Sequence, residues 1–396
     1  MRLSTANGFD ATVDVLQRRQ GELRDAQERL ASGKRVARAS DDPGAAARAE
    51  RALAAASRSD ASQRALEASR NAMTLAEGAL SDAGELLQQV RETLVAAGNA
   101  SYSDAERRAL AERLVALRQQ LFSVANRGDG TGGYLFAGQG AGQAPFIDTA
   151  DGTQYRGVTG ESVVATDETL PLALDGEAAW LRASSGNGVF ETRVASGTTA
   201  WVDAGHVTDP SLLTGATYRI QFSGSGASST YSILRDGNPT AAANVPFVSG
   251  QAIEIDGMSL RITGAPASGD AFEAVPAAPT LDVFATLDRT IAELRTSDRT
   301  SAQVTQTMQS GIRDIDQSMT SLQSLRARVG ETLNMTDTVE ARIASAKLAA
   351  KTERSAAEDL DLVQAVSDFQ GQQTGYDAAL KTYSMVQRLS LFQYIG

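Results

Sequence analysis

The chain has 396 residues, no cysteine, a single histidine and a formal charge of −11. That composition excludes a disulfide framework, a thiolate zinc site and any catalytic scheme built on two imidazoles or a cysteine nucleophile. It also argues against nucleic acid as a partner, because residues 140–280 hold 6 Arg and no Lys against 15 Asp and Glu while the two ends together are nearly neutral, leaving no basic stripe to meet phosphates.

In chain order, residues 1–30 lack an apolar stretch of signal-peptide length, since Arg18, Arg19, Glu22 and Arg24 interrupt it, and no 18-residue apolar run follows. Neither a cleaved secretion signal nor a membrane span is expected. Val13, Leu16, Leu23 and Leu30 stand three or seven apart, the spacing of one helix face. Leu30-Ala31-Ser32-Gly33-Lys34-Arg35-Val36 then ends that helix on a glycine, and Ser40-Asp41-Asp42-Pro43 starts the next, with a carboxylate at the N-cap and proline at the first helical position.

A helix is predicted from Pro43 to about Ala97 through Leu53, Leu66, Met73, Leu80, Leu87 and Leu94, the last four spaced by seven. It would be on the order of 80 Å long, with Gly78 and Gly84 as weak points. A second helix from Ser103 or Asp104 to about Asn126 carries a capping box, Ser103 with Glu106, and pairs antiparallel with the first.

Eight of the nine prolines and both tryptophans fall between Pro145 and Pro279. There Tyr218–Phe222, Tyr231–Leu234 and Ala252–Ile255 alternate as strands, and Asp236-Gly237 and Asp256-Gly257 are turn signals, the second closing a hairpin over Ile253–Ile262. Residues 140–280 therefore read as an inserted antiparallel β domain. Beyond it Met308, Ile315, Leu322, Val329, Thr336, Ile343 and Ala350 repeat every seven residues, flanked by Ile312 and Met319. After a less regular patch near Glu353–Asp361, Leu362, Phe369, Tyr376 and Tyr383 form one line, and Val366, Gln373 and Leu380 another. The fold class expected is α+β: an elongated helical coiled-coil rod formed by both chain ends, with the β domain inserted.

Chemical motifs are sparse. Gly224-Ser225-Gly226 and Gly186-Asn187-Gly188 read as turns, His206 as a loop residue, and neither Asp167-Glu168 nor Asp41-Asp42 has calcium-loop spacing. No cofactor, metal or catalytic residue is assigned.

Four collinear segments carry a resemblance. The loop around Ser32, Gly33, Asp41, Asp42 and Pro43 is similar to the helix-joining loop of bacterial flagellins and their hook-associated relatives. Met1-Arg2-Leu3-Ser4-Thr5, Gly133-Tyr134-Leu135-Phe136-Ala137-Gly138 and Leu389-Ser390-Leu391-Phe392-Gln393-Tyr394-Ile395 resemble the hook-associated protein 3 family. The likeness covers about residues 1–139 and 281–396.

The resemblance implies a non-enzymatic structural protein, exported unfolded through the flagellar type III channel and placed outside the cell. It would join a ring of identical subunits between hook-associated protein 1 and flagellin, with an export chaperone on its C-terminal helix. Residues 1–35 and 360–396 would pair as a terminal coiled coil, 36–139 and 281–359 would form the helical rod, and 140–280 would face solvent. Because an isolated amphipathic pair is marginal, the ends are expected to order on assembly. The packing residues expected there are Val13, Leu16, Leu23, Leu30, Leu362, Val366, Phe369, Tyr376, Leu380 and Tyr383. Two other readings share these features: filament flagellin itself, and a stalked adhesin whose Trp180, Trp201 and Tyr218 would form a sugar platform unless they pack in a core.

Overall fold

The computed structural model describes residues 5–99, 101–140, 142–165 and 168–395. Met1 to Ser4 of the opening segment and Asp167 of the acidic pair lie outside them. Seven α-helices are present among the described residues: α1 (Thr5–Ser32), α2 (Pro43–Ala97), α3 (Asp104–Ala125), the short α4 (Gly176–Trp180), α5 (Val283–Arg295), α6 (Ser301–Glu358) and α7 (Leu362–Ile395). The chain divides into two compact units, Met1–Arg64 with Thr338–Gly396, and Ala65–Asp337.

The larger unit contains a helical core and a sheet core. α3 starts on the expected capping box, with Ser103 and Glu106 satisfying each other's end of the first turn. It runs antiparallel to α2, since Arg127 just past its end pairs with Asp82 at 2.7 Å. α5 runs antiparallel to α3, with Arg295 beside Glu112, Arg118 beside Asp288 and the Phe122 ring edge-on to Phe284. α6 returns alongside α2 through Arg91–Asp316 and Arg326–Glu77.

The heptad lines explain the burial. Met73, Leu80, Leu87 and Leu94 of α2 are buried, as are all seven predicted α6 positions from Met308 to Ala350. Gly78 and Gly84 do not interrupt α2. Leu53 departs from the expectation and is exposed, while Ala45, Ala49 and Ala52 carry the burial. One residue turns a helix by about 100°, so a shift from 52 to 53 is enough to rotate the side chain off the packed face.

The insertion splits its allegiance. Phe146, Leu174 and Trp180 pack into the helical core, whereas the residues from Phe190 to Ala274 form a core of their own. That second core lies between a six-stranded sheet, in which strands 230–235, 218–223, 271–276 and 190–196 are paired in that order, and a four-stranded sheet built on the 252–255/258–264 hairpin with strands 200–202 and 206–207. Every pairing is antiparallel. The predicted hairpin forms, with Ile253 opposite Leu260 and Ile255 opposite Met258. Both Asp-Gly turns use positive φ at aspartate and glycine, the backbone a two-residue hairpin turn of this type requires. His206 differs from the loop expectation: it sits in a two-residue strand opposite Ser259, too short to leave a period in sequence. A two-stranded neck, 183–184 with 279–281, carries the chain in and out of this sandwich.

Arg118 fastens the first hairpin (146–149/152–155) to the helices. Its guanidinium binds both carboxylate oxygens of Asp148 at 2.7 and 2.8 Å, the Thr153 hydroxyl at 2.9 Å and Asp288 at 2.6 Å, and lies over the rings of Phe122 and Phe284. Hydrogen bonding from Arg118 holds the Asp148 carboxyl below its ordinary range. Burial pushes the Tyr155 phenol in the same hairpin up to about 12.

The phrase Gly133–Gly138 acquires a physical reason. Leu135, Phe136 and Ala137 are fully buried, and Gly138 turns at φ +64° with its open side against the carbonyl oxygens of Val158 and Gly160. No side chain fits, and positive φ adds strain. Gly138→Ala is expected to lose more than about 2 kcal/mol of unfolding free energy. Denaturant unfolding of the full chain checks this, and a loss below about 0.5 kcal/mol would show that the turn relaxes freely.

Candidate assembly interface

The smaller unit contains the residues singled out for packing. α1 and α7 pair with each other over much of their length, as apolar spacing at both ends demands. The pairing does not bury the stripe. Val13, Leu16, Leu23, Leu30, Phe369, Tyr376 and Tyr383 are half-buried, and Leu362, Val366 and Leu380 are exposed. Val363, which the heptad reading did not select, is 84% exposed. Leu23 and Tyr376 are brought together in a shallow groove walled by Gln17, Gln20 and Gln27. Two helices give each other only one covered side, so an apolar stripe wider than that stays in contact with water. For the closing segment Leu389–Ile395, only the helical backbone is among what is described.

The helix-joining loop is built as its residue types require. Gly33 takes φ +68° and its N–H closes the last turn on the Arg29 carbonyl at 2.9 Å, while the Ser32 hydroxyl donates to the same oxygen. Asp42 accepts from the Ala45 N–H at 2.9 Å, capping α2 with Pro43 in its first turn. Asp41 does the same work within the loop, accepting from the Ala37 and Arg38 N–H groups.

Opposite this loop lies a partner that local pattern did not disclose. The Arg35 and Val36 N–H groups donate to the Glu358 carbonyl, and the Leu360 N–H donates to the Gly33 carbonyl. Lys34 meets Glu358 at 3.2 Å, and Arg35 spans the gap, donating to the Ala357 carbonyl at 2.7 Å and to Asp42 at 3.3 Å. The only sequence signal was the loss of periodicity near Glu353–Asp361. The contact joins positions more than 300 residues apart, which no local motif encodes.

Both loop carboxylates have lowered pKa values. For Asp41 the leading cause is the Arg38 backbone N–H, and for Asp42 the Ala45 N–H followed by the Arg35 guanidinium. A carboxylate whose folded value is depressed stabilises the fold fully above its ordinary value, and the contribution disappears as pH falls through the lowered one. Acid titration below about pH 4 is therefore expected to loosen the 33–42 loop and the first turn of α2. Amide exchange at Ala45 and Ala46 reads it. In Asp42→Asn, which can still cap but does not ionise, that acid step should be reduced, and an unchanged step would rule out Asp42 as its source.

The alternative carbohydrate platform does not form. Trp180 is buried in the helical core and Tyr218 in the sheet core, with only Trp201 half-exposed. Among the described residues no cluster of metal-ligating side chains occurs, and no helix is long and apolar enough to cross a membrane.

Comparison with known proteins bears on the same segments. Residues 4–141 match the model of the bacterial flagellin N-terminal helical region. The flagellar hook-associated protein 3 of Salmonella typhimurium is 35% identical over 157 residues, 40% of this chain and 49% of that one, so the match spans about half of that relative's length. The hook-associated protein 3 of Escherichia coli aligns over 99% of both chains at 24% identity. The crystal structure of Xanthomonas campestris FlgL is 32% identical, with a TM-score of 0.69 over 78% of this chain and 99% of that one.

The chain belongs to the flagellar hook-associated protein 3 (FlgL) family. As an FlgL-family protein it is a structural component of the bacterial flagellum at the hook–filament junction. The helix–sheet–helix order and the inserted antiparallel domain are those of FlgL. Flagellin matches are shorter, 33% identity over 105 residues for flagellin A of Vibrio cholerae, covering 26% of this chain. The junction reading therefore stands over the filament one.

Proposed function

We propose that this FlgL-family chain is an adaptor that joins hook-associated protein 1 on one side to flagellin on the other, through a ring of identical subunits outside the cell. The observation that carries the proposal is the α1–α7 pair, whose apolar stripe is left half-covered or exposed at every selected position. Neighbouring subunits of the same helical class would complete that coverage. In this reading residues 1–35 and 360–396 form the inner coiled coil, 36–139 and 281–359 the outer helical wall, and 140–280 the solvent-facing part. Passage through the flagellar type III channel would require an unfolded chain. The exposed apolar start of α7, with Leu362, Val363 and Val366, suits an export chaperone that shields it beforehand.

Deleting the gene in its own bacterium and comparing electron micrographs with the flagellin in the medium tests the proposal. Hooks without filaments, together with monomeric flagellin lost to the medium, are expected. Intact filaments would overturn the adaptor role, and disappearance of the flagellin pool itself would make the chain the filament subunit.

A further inference from the structure

In the smaller unit α2 and α6 are packed, with Ala45, Ala49, Ile343 and Ala350 buried, and burial stops at the joining loops. No described side chain of α1 or α7 is buried, yet Val36 and Ala357, in and beside the two joining loops, are. Three of the helix ends that meet there are capped. Gly33 closes α1, Asp42 caps α2, and Asp361 caps α7 by accepting from the Val363 and Gln364 N–H groups. Glu358 ties the two loops together, taking Lys34 from one and Arg354 from its own helix. Ser355 holds Asp359 by a short hydrogen bond.

We propose that this loop pair is a preformed clasp from which the α1–α7 pair grows. Two helices that meet only through a stripe left half-exposed have little to offset the cost of bringing distant chain segments together. The antiparallel bridge between Lys34 and Asp359 removes most of that cost, because Leu30 and Leu362 each lie only a few residues along the chain from the bridge that already joins their segments. It also sets the register. Pairing then proceeds in one direction, from the clasp toward the chain ends, and in the isolated protein its stability falls with distance from the clasp. In an assembled ring, a step that rests on the adaptor reading above, neighbours would stabilise the distal turns and so finish a process the clasp began.

Amide exchange on the isolated full-length chain tests this. Amides of 24–32 and 363–371 should exchange at least about tenfold more slowly than those of 10–18 and 376–384. In the Lys34→Ala/Arg35→Ala variant the proximal advantage should disappear, whereas ordinary end-fraying would leave it intact. The absence of cysteine permits a second readout by spin labels at pairs of solvent-facing positions. Gln27→Cys with Asp368→Cys should give a narrow distance distribution that broadens in the clasp variant, and Asp14→Cys with Lys381→Cys a broad one in both. Equal exchange along both helices, or a proximal pair unaffected by the double substitution, would overturn the clasp. The deletion phenotype does not enter this test, so the adaptor reading and the clasp can fail separately.

Discussion

Phe284→Ala is expected to lower the unfolding free energy of the larger unit by about 3–5 kcal/mol. Phe284 is fully buried at the start of α5. It is flanked by Phe122 and Phe146 at centroid distances of 5.8 and 6.1 Å, stacked on Trp180 at 6.1 Å, and covered by the Arg118 guanidinium at 5.6 Å. Those neighbours come from α3, the first hairpin and α4, and each is held by its own element, so the space cannot close. Loss of the ring removes both its transfer energy and the ring-on-ring contacts. Calorimetry should show a transition lowered by on the order of 10 °C, with Phe284→Leu losing clearly less. A change below about 1 kcal/mol in the alanine variant would mean that the hairpin and α3 re-pack over the gap, contrary to a rigid aromatic cluster.

The second large effect concerns assembly and leaves stability alone. Leu23→Asp and Tyr376→Asp are expected to abolish filament growth while the thermal transition of the larger unit stays within experimental scatter. Leu23 and Tyr376 share one groove and are half-buried, so in the isolated chain a carboxylate there keeps much of its water. Coverage by a neighbour would strip that water at a cost of several kcal/mol per charge, which Arg24 at the groove's wall would offset only in part. In the proposed ring of identical subunits the penalty would recur at every position. Motility assays of strains carrying each variant in place of the native gene provide the measurement, and Val248→Asp, at an exposed position in the inserted part, is the control expected to swim. Swimming by the Leu23→Asp strain would remove this groove from the assembly surface.

What the sequence disclosed and what it hid divide along a physical line. Periodicity found α2, α3 and α6, and cap residues found the starts of the first two, because Asp42-Pro43 and Ser103 with Glu106 act within one helical turn. It also found the heptad line of α6, whose every position is buried. Strand runs and Asp-Gly turns were legible for the same reason. Strand order was not, since 190–196 pairs with 271–276 across some eighty residues through backbone groups that carry no side-chain signature. No sequence motif singles out Arg118, yet three elements converge on it. On α1 and α7 the pattern identified which residues are apolar and that an isolated pair would be marginal, but not which positions stay most exposed, Val363 above all. The loop residues Asp41 and Asp42 were visible as caps, whereas their connection through Arg35 to Ala357 depends on a fold already complete.

The neck formed by 183–184 and 279–281 matters beyond packing. The sandwich keeps its own core and is entered and left through this one neck, yet it is also tied to α6, where Arg313 donates to the Thr192 carbonyl and pairs with Glu191 and Gln306 accepts from the Val202 N–H. Such a neck is a natural graft point. A different module spliced in there would leave the chain's path into α5 unchanged and would forfeit only the polar ties to α6, so the length of the insertion is set far less tightly than the lengths of the helices.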